Sequence, residues 1–78
     1  MSENWFTKYE LPTIRRLVNE LNLHGQQLST LVHYCRDLSN AMDDPHHDPW
    51  DMLVCMSRRD RYINELLTIN KLKRESSN

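Results

Sequence analysis

The sequence predicts an all-α protein: an antiparallel hairpin of two long helices with a short N-terminal arm, dimerising into a four-helix bundle. Apolar side chains recur alternately three and four residues apart along the first half of the chain, as in helices that supercoil against partner helices. The chain has one glycine and three prolines, and the prolines mark where the predicted helices begin and end. A chain of 78 residues has a small core, so a partner subunit is expected to complete it.

Charge and composition narrow the function classes. The chain has ten Lys and Arg and eleven Asp and Glu, a formal net charge of −1. An overall attraction to nucleic acid or to an anionic membrane is therefore not expected. No apolar run of 18 residues occurs, which argues against a membrane span, and Met1–Tyr9 lacks the apolar centre of a signal peptide. A cytoplasmic setting is therefore expected. Cys35 and Cys55 occupy core-like helical positions, which favours buried reduced thiols over a disulfide.

The single predicted domain, 1–78, begins with an aromatic arm at 1–11. One interpretation folds this arm back as an apolar cap, and the other leaves it loose and partly exposed. The residues that the cap would join are Trp5, Phe6 and Tyr9 with Leu17, Leu21 and Ile69.

The first long helix is predicted at 12–42. Pro12 suits its first turn, where a missing N–H is tolerated. The apolar side chains then form one stripe that drifts around the helix as a seven-residue repeat requires. These residues are the predicted oligomer core of this helix: Ile14, Leu17, Leu21, Leu28, Leu31, Cys35, Leu38 and Met42.

A loop at 43–48 and a second helix at 49–73 follow, with a frayed tail at 74–78. Pro45 ends the first helix. Asp48 is the predicted N-cap of the second, and Pro49 takes its first position. Three residues of the second helix also belong to the predicted oligomer core: Met56, Ile63 and Leu66.

His24 and Gly25 interrupt the apolar ladder near its centre. In one hypothesis Gly25 admits another backbone and His24 is a buried pH-sensitive group. In a second, the helix is only locally loose and His24 hydrogen-bonds to a neighbour. A third alternative is a sharp break at Gly25 that divides the helix in two.

Arg59 lies within the apolar stripe of the second helix. A buried guanidinium needs an acceptor, yet the predicted stripe of the first helix offers no acid at this level. Three partners are therefore possible. An acid of another chain would fix the dimer register, backbone carbonyls could accept its hydrogen bonds, or the side chain could reach solvent by snorkelling.

Several exposed groups are candidates for binding a protein partner. Trp50 is predicted on the back of the second helix with aliphatic neighbours, as in a binding hot spot; alternatively it covers the loop. Acidic loop residues oppose the dipole of the first helix and would suit a basic partner. The candidate residues are Trp5, Trp50, Leu53, Asp43, Asp44, Arg58 and Arg61.

The same region raises two other ligand classes. Arg58 and Arg61 share a helix face, with Tyr34 or Tyr62 for stacking, so phosphate or nucleic-acid binding is an alternative, although acids interleave with the arginines. The loop has His and Asp residues, but adjacent His46 and His47 rarely reach one ion, so no metal and no cofactor are expected.

No catalytic arrangement is apparent from residue spacing, so no enzymatic activity is expected. In architecture, through its length, hairpin form and heptads, the predicted fold resembles the small helical-hairpin dimers typified by the plasmid RNA-binding regulator Rop. The first functional hypothesis is a self-associating regulator, adaptor or inhibitor that binds proteins, by analogy with small phage and mobile-element proteins. The alternatives are a dimeric RNA- or DNA-binding regulator and a structural subunit of a larger assembly.

Overall fold

The computed structural model describes residues 4–76, and every regular element in this range is helical. A π-helical turn, Phe6–Glu10, continues directly into α1, Leu11–Leu21. Two further helices follow, α2 at Gly25–Asp43 and α3 at Pro49–Ser76. The all-α class is confirmed for the described residues. The start of the predicted arm and the end of the predicted tail lie outside them.

The π-helical turn and the start of α1 place residues 6–11 of the predicted arm, 1–11, in helical structure. Pro12 stands in the first turn of α1, where its ring would clash with the carbonyl four residues earlier in a regular α-helix. The turn before it is closed instead by a bond from the Leu11 N–H to the Phe6 carbonyl. This wider turn lets the helix pass through Pro12, so helical structure begins before the proline.

The predicted helix at 12–42 is divided in two between α1 and α2. Asn22 and Gly25 both adopt a positive φ, 53° and 56°, which stops a right-handed helix. His24 between them is extended. Of the three alternatives, the structure adopts the sharp break. The apolar ladder does not reveal it, because the helices on both sides bury their ladder residues in one core.

The three helices pack as an antiparallel series. The Trp5 N–H donates to the Asp43 carboxylate at 3.0 Å, which places the start of the π-helical turn beside the end of α2. The Tyr34 and Tyr62 rings lie 5.6 Å apart, which joins the middles of α2 and α3. The central core contains Ile14, Leu17, Leu23, Leu31, Cys35 and Leu66.

The third helix is longer than the predicted 49–73. It has 28 residues against 19 in α2, about 42 Å against about 28 Å at the usual rise. Leu66 is its last buried residue, and every residue from Lys71 to Ser76 is exposed, so the end of the helix extends past the core. No helix in the described part of the chain is long and apolar enough to cross a membrane.

Candidate protein-binding site

A buried carboxylate connects the N-terminal segment to α3. Glu10, the last residue of the π-helical turn, is 1% exposed. Its Oε1 accepts a hydrogen bond from the Trp5 indole Nε1 at 3.0 Å and another from the Arg59 guanidinium. A charge removed from water needs such a partner to persist. The ion pair therefore fixes how the first helical segment lies on the third helix.

Arg59 thus has its partner within its own chain, which corrects the expectation of an interchain, backbone or solvent partner. It also donates to Asp60 Oδ1 from Nε at 3.0 Å and from Nη2 at 2.9 Å. Burial alone would lower the pKa of Arg59, but its hydrogen bonds to Asp60 and the charge of Glu10 raise it above the ordinary value. Arg59 remains a cation in this setting.

Glu10 was absent from the predicted site residues, although the sequence carries a signal for it. The apolar ladder begins at Ile14, and one further step of four residues leads back to Glu10. An acid at a core position of one helix and an arginine at a core position of another are natural partners. The prediction missed this pair because it began the first helix at Pro12, two residues after Glu10.

Cys35 lies beside this ion pair and is fully buried. Burial raises the pKa of its thiol to about 12, helped by a hydrogen bond to Glu10 and the negative charge of Glu10. Among residues 4–76, Oε2 of Glu10 has no donor in normal hydrogen-bond geometry, and the S–H group of Cys35 is a weak donor. Cys35 and Cys55 are both free thiols, and the raised pKa makes Cys35 a poor nucleophile.

The turn between α1 and α2 shows how His24 and Gly25 are used. His24 is exposed, and its Nδ1 lies 3.0 Å from the Asn22 carbonyl oxygen. A Cβ at Gly25 would meet no atom within 4 Å. The glycine is therefore explained by its positive φ rather than by a close backbone approach. The hypothesis of a buried histidine is corrected.

In the acidic loop, residues 44–48, the carboxylates of Asp44 and Asp48 make hydrogen bonds to nearby backbone N–H groups. The Asp44 carboxylate accepts the His46 N–H at 2.8 Å, and the Asp48 carboxylate caps α3 by accepting the Trp50 N–H at 2.9 Å. The Asp48 cap agrees with the sequence analysis. Within residues 4–76, no three His, Cys, Asp or Glu side chains are grouped to hold a metal ion.

The outer face of α3, opposite Arg59 and Leu66, carries exposed apolar groups. Trp50 is 70% exposed and Leu53 is 57% exposed. With Val54, Ser57 and Arg58 they line a shallow groove of about 260 Å³. This exposure favours the binding interpretation of Trp50 over the alternative in which it covers the loop.

A second cleft, of about 330 Å³, lies between α2 and α3. It brings together Arg58, Arg61 and the neighbouring, mutually tilted rings of Tyr34 and Tyr62, which the sequence analysis named as one possible set. Acidic groups line the same cleft, which leaves its charge nearly balanced. The other lining residues are His33, Asp37 and Glu65.

The aromatic arm lies elsewhere than predicted. Phe6 packs at the edge of the core, with its ring 5.6 Å from the Arg36 guanidinium, and Tyr9 is largely exposed. Trp5 is half-buried through its bonds to Glu10 and Asp43. The arm therefore lies against the end of α2, at the opposite end of the molecule from Ile69, and the predicted cap is corrected.

The predicted oligomer core lies largely within the single chain. Its buried members are Ile14, Leu17, Leu31, Cys35, Leu38 and Leu66. The half-buried members are Leu21, Leu28, Met42, Met56 and Ile63. Because α1 folds onto α2 and α3, these side chains leave water without a second copy.

The main exposed apolar surface of the described residues is therefore on α3. Trp50, Leu53 and Arg58 lie together, whereas Trp5 and Asp43 are held in contacts within the chain. No family model, curated protein or solved structure matches this chain.

Proposed function

We propose that this chain is a non-catalytic, self-associating regulator, adaptor or inhibitor that acts by binding protein. The observation that carries the proposal is the exposure of Trp50 and Leu53, 70% and 57%, side by side on one helix. Neighbouring apolar groups of this size are costly to leave in water. Exposed apolar patches mark protein-binding surfaces more often than accidental exposure does.

The composition of the outer face also supports protein binding. Tryptophan and arginine are the residue types most enriched at binding hot spots, and Arg58 lies in the same groove as Trp50. An apolar centre with a cation at its edge suits a partner surface that pairs an apolar side chain with a carboxylate.

The predicted dimer is proposed to form on this face rather than between the heptad stripes of two hairpins. The stripes are largely buried within the chain, whereas α3 keeps apolar groups exposed toward both of its ends. The assembly would then contain two three-helix units in place of a four-helix bundle.

Replacing Trp50 by Ala tests the proposal. The variant is expected to fold as stably as the wild type, because surface substitutions change the free energy of unfolding by less than about 0.5 kcal/mol. It is expected to lose both self-association, measured by light scattering over a range of concentrations, and capture of a partner from nuclease-treated extract of the source organism. The matched control is Tyr9→Ala, which removes an aromatic group that is 47% exposed elsewhere on the surface.

Two results separate the alternatives. Protein binding that is lost in Trp50→Ala and kept in Tyr9→Ala supports the proposal. A wild-type chain that stays monomeric and binds only proteins that Trp50→Ala binds equally well would overturn it.

A dimeric nucleic-acid-binding regulator is the second candidate, favoured by the cleft that joins Arg58 and Arg61 to Tyr34 and Tyr62. Arginines bind phosphate and tyrosines stack on bases. Binding to single-stranded RNA or DNA would weaken steeply as salt rises, by a slope set by the number of phosphates contacted. Absence of binding even at low salt, measured by fluorescence anisotropy, would remove this candidate.

A further inference from the structure

We propose that the occupant of the outer face of α3 is a second copy of this chain, with the two α3 helices antiparallel and centred near Arg61. The inference rests on the proposed function, because it uses the same face, and deepens it by naming the partner and its orientation. It is carried by the distribution of charge and of apolar groups along one helix.

The two ends of α3 have opposite charge. Asp48 and Asp51 lie at its start, next to the acidic residues Asp43 and Asp44 at the end of α2. Its last turns carry three cations and one acid, namely Lys71, Lys73, Arg74 and Glu75. Parallel pairing would set like charges against each other at both ends. Antiparallel pairing sets the acidic end of each copy against the basic end of the other.

The exposed apolar groups also lie toward the two ends. Trp50 and Leu53 are exposed near the start, and Ile69 and Leu72 are exposed near the end, the latter by 58%. In an antiparallel pair centred on Arg61, residues equally far from Arg61 in opposite directions lie level. Trp50 is then level with Leu72 of the second copy. Each end of the interface therefore has one contact between a tryptophan and a leucine.

The middle of the face is polar and supplies charges of both signs. Arg58 and Glu65 line the same exposed cleft, and in the antiparallel pair Arg58 lies within one residue of the level of Glu65 of the second copy. The two Arg61 side chains meet near the centre, each one helical turn from the other copy's Glu65. The acid thus offsets the repulsion between the two arginines.

The length of α3 fits this arrangement. After Asn70, its last partly buried residue, the helix continues to Ser76 with every residue exposed. In the antiparallel pair these projecting turns lie along the loop end of the second copy, which gives them a packing partner. The interface is the same on both copies, so the assembly closes as a dimer and does not extend into a filament.

Cysteine cross-linking distinguishes the two orientations. In a Cys55→Ala background, with Cys35 fully buried, Val54→Cys and Thr68→Cys chains are mixed and oxidised. Antiparallel pairing places residues 54 and 68 level, close enough for a disulfide. We expect the mixed dimer to form and neither variant to cross-link with itself. Parallel pairing would instead link each variant to itself, and that result would overturn the proposal.

Charge exchange gives an independent measurement. Lys71→Glu, at the position level with Asp51 of the second copy, is expected to raise the dimer dissociation constant about tenfold, because two symmetric attractions become repulsions. Adding Asp51→Lys to that variant is expected to restore dimerisation, measured by sedimentation equilibrium. An unchanged constant in both variants would contradict the antiparallel register.

A wild-type chain that remains monomeric at every concentration also overturns the inference. The protein-binding part of the proposed function would still stand if Trp50-dependent capture of a different protein were observed. Failure of that capture together with a monomeric chain would remove both proposals, so the two failures are distinguishable.

Discussion

The two faces of α3 use polar and apolar residues in opposite ways. The inner face carries Arg59, held by the buried carboxylate of Glu10. The outer face carries Trp50 and Leu53, which remain largely in water. A buried ion pair adds little net stability but penalises arrangements that separate its members. The comparison shows that one side of the helix specifies how the chain folds, and the other is available for association.

Removing one member of the ion pair is expected to have the largest effect. Glu10→Ala leaves the Arg59 guanidinium partly buried without its carboxylate, which typically lowers the free energy of unfolding by about 3–5 kcal/mol. Urea denaturation followed by circular dichroism measures the loss. The outer-face variant Trp50→Ala should change the same quantity by less than about 0.5 kcal/mol.

The double variant Glu10→Leu with Arg59→Met sharpens this result. It removes both charges and should be more stable than Glu10→Ala alone, because no unpaired charge remains. Equal losses in the single and double variants would show that packing, and not the ion pair, holds the N-terminal segment in place.

Two leucines on opposite surfaces form a matched pair. Leu31 is 0% exposed in the core, and Leu53 is 57% exposed on α3. Leu31→Ala is expected to lower the free energy of unfolding by about 2–5 kcal/mol, through lost burial and the cavity left behind. Leu53→Ala should change it by less than about 0.5 kcal/mol. Chemical denaturation of the two variants, both at the same low protein concentration, measures the difference.

Substitutions in the turn between α1 and α2 should change stability less than the ion-pair and core variants do. Gly25→Ala forces an alanine into a positive φ, at a cost of about 1 kcal/mol, although space for the new Cβ is open. Gly25→Asn should cost less, since asparagine tolerates this conformation. Thermal unfolding compares the two. If Ala raises the stability, the break is not held by backbone geometry.

The two cysteines should differ in reactivity and in their dependence on pH. At pH 8 we expect one fast-reacting thiol per folded chain, Cys55, and two after denaturation, measured with an aromatic disulfide reagent. The pKa of Cys35 is raised from 9.0 to about 12. The unfolded thiol therefore loses its proton first, so this contribution to stability is complete below pH 9 and is lost as pH rises toward 12. Fast labelling of both thiols in the folded chain would contradict the burial of Cys35.

Sequence reasoning could predict the helical class, the Asp48 cap and the position of Trp50 on the back of its helix, because each depends on local spacing or composition. It could not predict where the first long helix divides. Asn22 and Gly25 both permit a left-handed backbone, but only the packing of α1 onto α2 requires it. The partner of Arg59 was missed for a related reason: Glu10 precedes Pro12, and the π-helical turn that carries the helix through the proline has no recognisable sequence pattern.

The ion pair also has a consequence for the order in which the chain matures. Glu10 and Arg59 are 49 residues apart, and a contact between distant residues carries a larger entropic cost of closure than a local one. During synthesis the N-terminal helix leaves the ribosome first, with its carboxylate still in water. Its final position on the other helices is set only after α3 has emerged. The N-terminal segment is therefore expected to dock late in folding, followed by burial of Glu10.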